Sequence, residues 1–268
     1  MSVSANGGKA RVEAGPSPFE IRELSTDGHQ VVYERGREVE IFDPETKKTN
    51  EVTFELHSDL IHTRPIQVPA QDFTVSGSIT PNAKRVLVET RGQIVSLPVG
   101  EGEARLWKSE QGVRLQNPNM SPDSKQVAYV SDKSGEQQIY VSDADGGGAK
   151  KVTKGERQIK SLKWSPDSKW IVYYDSRMSL RSLNVETSED SEIDRFSGSW
   201  GGSNVSFSPD SKWVTFANNI MHVNTSAINI YNLAEKKLVQ IGDGRADDNS
   251  PVFGTDGKWL AFSSTRNL

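Results

Sequence analysis

Cysteine does not occur in these 268 residues. That excludes disulfides, thiolate metal centres and a cysteine nucleophile within the chain. Cytosolic and periplasmic proteins can both lack cysteine, so its absence fixes no compartment. Long apolar runs are missing as well. No stretch approaches the roughly eighteen consecutive apolar residues that cross a bilayer, so no membrane span is predicted. The opening segment MSVSANGGKARVEAGPSP has no apolar core of the kind a secretory signal needs. Residues 1–17 read as a flexible lead-in, and the folded domain is expected over 18–268. Basic excess is also lacking. The formal net charge is −4, with Lys and Arg scattered along the chain, whereas a nucleic-acid partner would call for a clustered basic footprint. Finally, no useful window shows the three-four spacing of an amphipathic helix.

What the sequence does contain is repetition. KWSPDSKWIVYYD (163–175) is echoed by SFSPDSKWVTFAN and NMSPDSKQVAYVS. Taking the first residue of each turn as an anchor gives Ser25, Thr80, Ser121, Ser165, Ser208 and Gly254. Successive anchors lie 55, 41, 44, 43 and 46 residues apart. Four of these intervals match the ~40–45 residues of a propeller blade, and FELHSDLIHTRPIQVPAQ (54–71) accounts for the longer one.

The columns agree better than the intervals. Directly before the anchors stand Leu24, Ile79, Met120, Trp164, Phe207 and Phe253, all large and apolar. Two places after the anchors come Asp27, Asn82, Asp123, Asp167, Asp210 and Asp256. Val31, Val86, Val127, Ile171, Val214 and Leu260 follow at the sixth place, and Tyr33, Val88, Tyr129, Tyr173, Phe216 and Phe262 at the eighth. Pro81, Pro122, Pro166 and Pro209 preset the backbone angle of a tight turn, and the Asp or Asn side chain can close it. The next run is β-branched, aromatic and almost continuously apolar, as in a strand covered on both faces. A second strand follows in REVEIFD (37–43), GQIVSLP (92–98), QQIYVSD (137–143), MSLRSLN (178–184) and SAINIYN (226–232). Polar turns and short outer strands such as AKKVT and KLVQI complete about four strands per unit. The fold class is therefore all-β: a β-propeller of four-stranded antiparallel blades. About six blades are expected, the last incomplete, with a fragment of a seven-bladed ring preferred. KARVEA (9–14) is a candidate closing strand for that last blade.

The ordered set VETRGQIVSLP (88–98), SPDSKQVAYVSDKSGEQQIYVSDADGGG (121–148), WSPDSKWIVYYD (164–175) and SPVFGTDGKWLAFSSTRN (250–267) resembles the propeller of tricorn-type proteases, and the repeat alone resembles TolB. The resemblance covers roughly residues 18 to 268. In the tricorn family it implies a propeller beside a PDZ-like module and a serine-protease core, with a channel that admits peptides. Peptide substrates or a protease catalytic core are the partners so implied, in a cytoplasmic setting. No position matches the family's catalytic motif, so no catalytic residue is carried over and this chain is not expected to be an enzyme by itself. The alternatives are a TolB-like periplasmic protein-interaction scaffold, if a signal segment once preceded the chain, and a propeller hydrolase with a channel metal.

Candidate sites read blandly. His29 takes a turn-tip position, His57 and His62 lie in the long insertion without metal-pair spacing, and His222 sits between strands. GSWGGS (198–203) is a Gly-rich connection and not a nucleophile elbow. VETSEDSEID (185–194) lacks the glycine of a calcium loop and reads as a solvated turn. DADGGG (143–148) reads as a hairpin turn. Trp164, Trp170, Trp213 and Trp259 are expected in the core. GRADDNS (244–250) is placed at one end of a central channel. No cofactor, metal or catalytic residue is assigned.

Overall fold

The computed structural model describes residues 2–13, 15, 17–55, 57, 69–196, 204–220, 225–242 and 244–266. His62, His222 and GSWGGS lie outside them. The chain forms two compact units, Met1–Gln67 and Val68–Leu268. Apart from a 3-10 turn at Ala70–Phe73, the elements among the described residues are all strands. They form five four-stranded sheets and one two-stranded sheet.

The first unit holds β1 (Ile21–Thr26), β2 (Val31–Arg35), β3 (Glu38–Asp43) and β4 (Lys48–Val52), paired antiparallel in that order. Residues 9–13 join no sheet. Arg11 makes only a bridge with Ser2, so KARVEA does not build the strand proposed for it.

The second unit holds the remaining blades. Its first is β5 (Thr74–Ile79), β6 (Arg85–Thr90), β7 (Gln93–Pro98) and β8 (Arg105–Lys108), and its second is β9 (Leu115–Met120), β10 (Gln126–Ser131), β11 (Gln138–Asp143) and β12 (Lys150–Lys151). Next come β13 (Ile159–Trp164), β14 (Trp170–Asp175), β15 (Ser179–Asn184) and β16 (Asp190–Arg195). The sheet β17 (Ser206–Phe207), β18 (Trp213–Ile220), β19 (Thr225–Asn232) and β20 (Lys237–Ile241) follows, and β21 (Asp248–Phe253) with β22 (Leu260–Ser264) ends the series.

Every apolar cluster lies between consecutive blades. Leu87 and Ile94 pack with Leu115, Val127 and Tyr129. Val130, Ile139 and Val141 pack with Leu162, Trp164 and Ile171, and Val172, Leu180 and Phe196 pack with Phe207, Val214 and Phe216. A single blade has no interior of its own. That is why the sixth- and eighth-place columns recur, and in the middle blades Val127, Tyr129, Ile171, Tyr173, Val214 and Phe216 are all buried. Burial pushes the Tyr129 hydroxyl pKa up to about 12. Other copies differ: Leu24 and Ile79 are exposed although their column is apolar.

The repeated turn is a hydrogen-bonded device. In SPDS the Ser124 N–H donates to the Ser121 carbonyl at 2.9 Å, and Ser124 then adopts φ +62°, the left-handed residue that follows a type I turn in a hairpin. The buried Ser121 hydroxyl donates to Asp123 Oδ1 at 2.6 Å and accepts from Gln126 N at 3.0 Å. Asp123 Oδ1 also accepts from Lys125 N. Ser165/Asp167, Ser208/Asp210 and Thr80/Asn82 repeat this pattern. The Ser208 hydroxyl and then the Lys212 N–H hold the Asp210 carboxyl pKa below its usual value. In the first copy the anchor moves by one residue: Thr26, not Ser25, bonds across the turn to Gln30 O at 2.6 Å. Ser25 stays paired in β1, which shortens that turn. The last copy has no hydroxyl. A Cβ at Gly254 would lie 2.3 Å from the Trp259 ring.

Three of these turns also grip one another across blades, in two successive pairs. Asp123 N donates to Ser168 Oγ at 3.2 Å, and Asp167 N donates to Ser211 Oγ at 2.9 Å. Ser168 and Ser211 both sit at φ +60°, where glycine would relieve about 1 kcal/mol of strain. Serine is placed there because its hydroxyl accepts a neighbouring blade's N–H. Ser168→Ala keeps the strain and loses the acceptor, so a cost of about 1–2 kcal/mol is expected. Ser168→Gly should cost less by about 1 kcal/mol. Urea unfolding of both variants checks this, and a glycine variant no more stable than the alanine one refutes the account.

Candidate functional site

Chain direction places two kinds of loop at opposite ends of every blade. The Ser-Pro-Asp turns join first to second strands at one end. The second-to-third hairpins and the connections between blades gather at the other. At that second end, between the blades β5–β8 and β9–β12, lies an open cleft of about 830 Å³.

Its parts follow from local sequence. Arg91 (φ +51°) and Gly92 (φ +76°) form the two-residue hairpin joining β6 to β7, both left-handed as such a tight turn demands. The segment Ser109–Arg114 carries the chain from β8 to β9, and it is pinned by Leu115 N to Gly92 O and by Val113 N to Glu110 O. Arg114 N donates to Asp132 Oδ1 at 2.8 Å, fixing the far wall. On the near side the Arg91 guanidinium lies 4.9 Å over the Phe73 ring. Glu110 pairs with Lys133 at 2.6 Å. Four acids line the cleft (Asp72, Glu89, Glu110 and Asp132) against two bases, Arg91 and Arg114.

Glu89 is the unusual member. It stands next to last in a central strand, and only 1% of it is exposed. Its Oε2 accepts the Ser76 hydroxyl at 2.6 Å and the Asn117 N–H at 3.1 Å. That N–H is available because β9 bulges at Asn117, which adopts φ +49° next to Pro118, and a bulge releases a backbone group from its ladder. The other oxygen, Oε1, is buried without a hydrogen-bond partner. Its nearest cation is Arg114 Nη2 at 3.9 Å, beyond hydrogen-bonding distance. The site therefore pairs a held carboxylate with an acidic rim, an arrangement suited to receiving a cationic donor.

No residue of this cleft was singled out from sequence, although VETRGQIVSLP contains four of them, Glu89, Arg91, Gly92 and Gln93. The available signal was a Glu inside an otherwise apolar central strand. The residues that were singled out lie elsewhere. His29 is an exposed turn residue whose N–H bonds Asp27, and His57 is exposed beside Glu55. DADGGG is a hairpin turn, closed by Gly146 N to Asp143 O. Trp164 is buried and donates to Asn119 O of the preceding blade, and Trp170 and Trp213 are half-buried. Trp259 corrects the core expectation: it is 56% exposed, because no later sheet covers β22 among the described residues. GRADDNS is a joint between strands. Thr225 bonds Gly244 O, Ser226 N bonds Asp247, and buried Asp248 pairs with Arg266 at 2.6 Å.

VETSEDSEID is corrected too. Its second half is β16, and Asp190 there is enclosed by partners. Asp190 accepts from Arg181 Nε at 2.8 Å and Tyr173 OH at 2.7 Å, with Arg157 at 3.5 Å. Those partners come from other strands and from the loop before β13, which sequence spacing does not reveal.

Residues 75–268 match the family model described as the Tricorn protease second beta propeller domain. The Tricorn protease homolog of Saccharolobus solfataricus is 22% identical over the whole chain, and the Tricorn protease of Thermoplasma acidophilum is likewise 22% identical over the whole chain. This chain spans only 24% and 25% of those relatives. The crystal structure of the tricorn protease superposes on 99% of the chain with a TM-score of 0.68 at 20% identity, and the chain spans 26% of it, which shows the shared fold. On the family match, this chain belongs to the tricorn protease second β-propeller family.

Proposed function

We propose that this propeller binds extended peptides and gates their passage to the catalytic core of a tricorn-like protease, without a catalytic site of its own. The observation that carries the reading is the cleft at the blade-connecting end, set on rigid strands within a chain of this family. Rigid blades with polar loops select by shape: an extended chain fits between two blades, and a folded domain does not. Because the chain spans about a quarter of its tricorn relatives, catalysis is assigned in this reading to other parts of the protein, in the cytoplasm. The likeness to TolB is one of fold and adds no second reading.

Fluorescence anisotropy on the full 268-residue chain tests this with one labelled octapeptide, linear and closed into a ring through its side chains so that both forms keep a free N-terminus. The linear form is expected to bind at least ten times more tightly. Equal affinities, or no binding by either form, would overturn the gating role.

A further inference from the structure

We infer that the cleft between the blades β5–β8 and β9–β12 takes the primary ammonium of an extended peptide onto Glu89. The inference rests on the peptide-binding reading above and names the chemical group that the site selects.

Two independent observations lead there. The first is charge: the lining carries twice as many acids as bases, and Lys133 offsets only Glu110. The second is an unmet hydrogen bond. A buried carboxylate oxygen without a donor costs about 1–3 kcal/mol or more, yet Glu89 Oε1 has none. Its other oxygen is already used by Ser76 and Asn117, so the carboxylate is held in place before any ligand arrives. Preorganisation of this kind lowers the cost of binding.

An unpaired carboxylate oxygen at an acidic rim favours a partner that is a donor, cationic and compact. A guanidinium is broad and planar, and Arg114 already stands at 3.9 Å without completing a bond. A metal ion needs several ligands, and no cluster of three or more His, Asp or Glu able to hold one occurs among the described residues. A primary ammonium is a compact charge with three donors. It can bond Glu89 Oε1 and leave its remaining donors to water or the acidic rim. The chain attached to it would run over Phe73, which is 40% exposed, and past the stacked Arg91.

The test uses the full chain and three labelled pentapeptides: one with a free N-terminus and no lysine, its N-acetylated form, and the acetylated form carrying one lysine. The free amine is expected to bind at least tenfold more tightly than the acetylated peptide. Recovery by lysine would assign the site to any primary ammonium, and lack of recovery would assign it to the N-terminus. Glu89→Gln keeps an acceptor for Ser76 and Asn117 but puts a donor at the other position, so the preference should vanish. Should that variant not fold, Arg114→Ala serves instead. Removing the cation paired most closely with Glu89 Oε1 is expected to tighten free-amine binding several-fold. Equal binding of free and acetylated peptides overturns the ammonium site and leaves gating intact, as does a preference that survives Glu89→Gln or an Arg114→Ala variant with unchanged affinity. A free-amine preference shared by linear and ring-closed peptides has the opposite meaning, sinking gating while the site stands.

Discussion

Asp190→Ala is expected to destabilise the chain by about 3 kcal/mol, the low end of the cost of breaking a buried ion pair, because this pair is largely but not fully buried. Asp190 sits in β16 and faces two guanidiniums, Arg181 Nε at 2.8 Å and Arg157 Nη1 at 3.5 Å. It also accepts the Tyr173 hydroxyl at 2.7 Å. The Arg181 side chain is only 11% exposed, so it cannot simply turn to water when its partner is lost. Arg181 would keep only Glu192, at 3.4 Å, and Arg157 only Asp175, at 3.6 Å, and both would still face the buried phenol. Burial first, then the Asp190 charge, holds the Tyr173 hydroxyl pKa far above its ordinary value, and of these causes the variant keeps only the burial. For a chain of this size, about 2–4 °C of melting temperature accompanies each kcal/mol, and a drop of about 10 °C should be seen. Asp190→Asn should fall in between, since an amide oxygen still accepts but carries no charge. Glu186→Ala, in the exposed half of the same acidic run, should change stability by no more than about 0.5 kcal/mol. If Asp190→Ala behaves like Glu186→Ala, the network contributes nothing and the solvated-turn reading was right.

Phe216→Ala should cost a similar amount, about 3–5 kcal/mol, for a different reason. Phe216 is 1% exposed and meets the edge of the Phe196 ring at 5.8 Å. Phe196 belongs to the preceding blade. The cavity would therefore open at the joint between two sheets and not within one. Hydrogen exchange distinguishes the two cases. Protection should fall in β14 and β15 as well as in β18 and β19, because each blade is stabilised by its neighbours. Loss confined to β17–β20 would mean that blades are independently stable, contrary to the packing described here. Phe216→Leu, which fills most of the space, should recover more than half of the loss.

Much of this architecture was readable because it depends on local rules applied six times over. The Ser-Pro-Asp turn needs a φ-restricted residue, a short acceptor and a hydroxyl at fixed offsets, and all three occupy columns of the sequence. The strands that follow next start within a residue of their expected positions, as with Gln138–Asp143 and Ser179–Asn184. Departures came where a neighbour mattered. The sequence of the first copy aligns Ser25 with Ser121, yet Thr26 makes the bond. Trp259 stands in the column of Trp170 and Trp213, yet it is left uncovered.

The candidate site was not legible, and the reason is distance along the chain. Glu89 and Arg114 are 25 positions apart and Asp132 lies beyond both, each on a different blade edge or connection. No motif spacing joins them. Only the stacking of one sheet on the next brings them to one cleft, and only the bulge at Asn117 turns a backbone N–H toward Glu89. By itself the sequence determined turn chemistry, strand periodicity and the repeat, since each depends on residues within a few positions of one another. Tertiary structure alone decided which polar groups meet and which carboxylate oxygens, that of Glu89 among them, are left without a donor, because burial and pairing between blades belong to surfaces that exist only once the sheets are stacked.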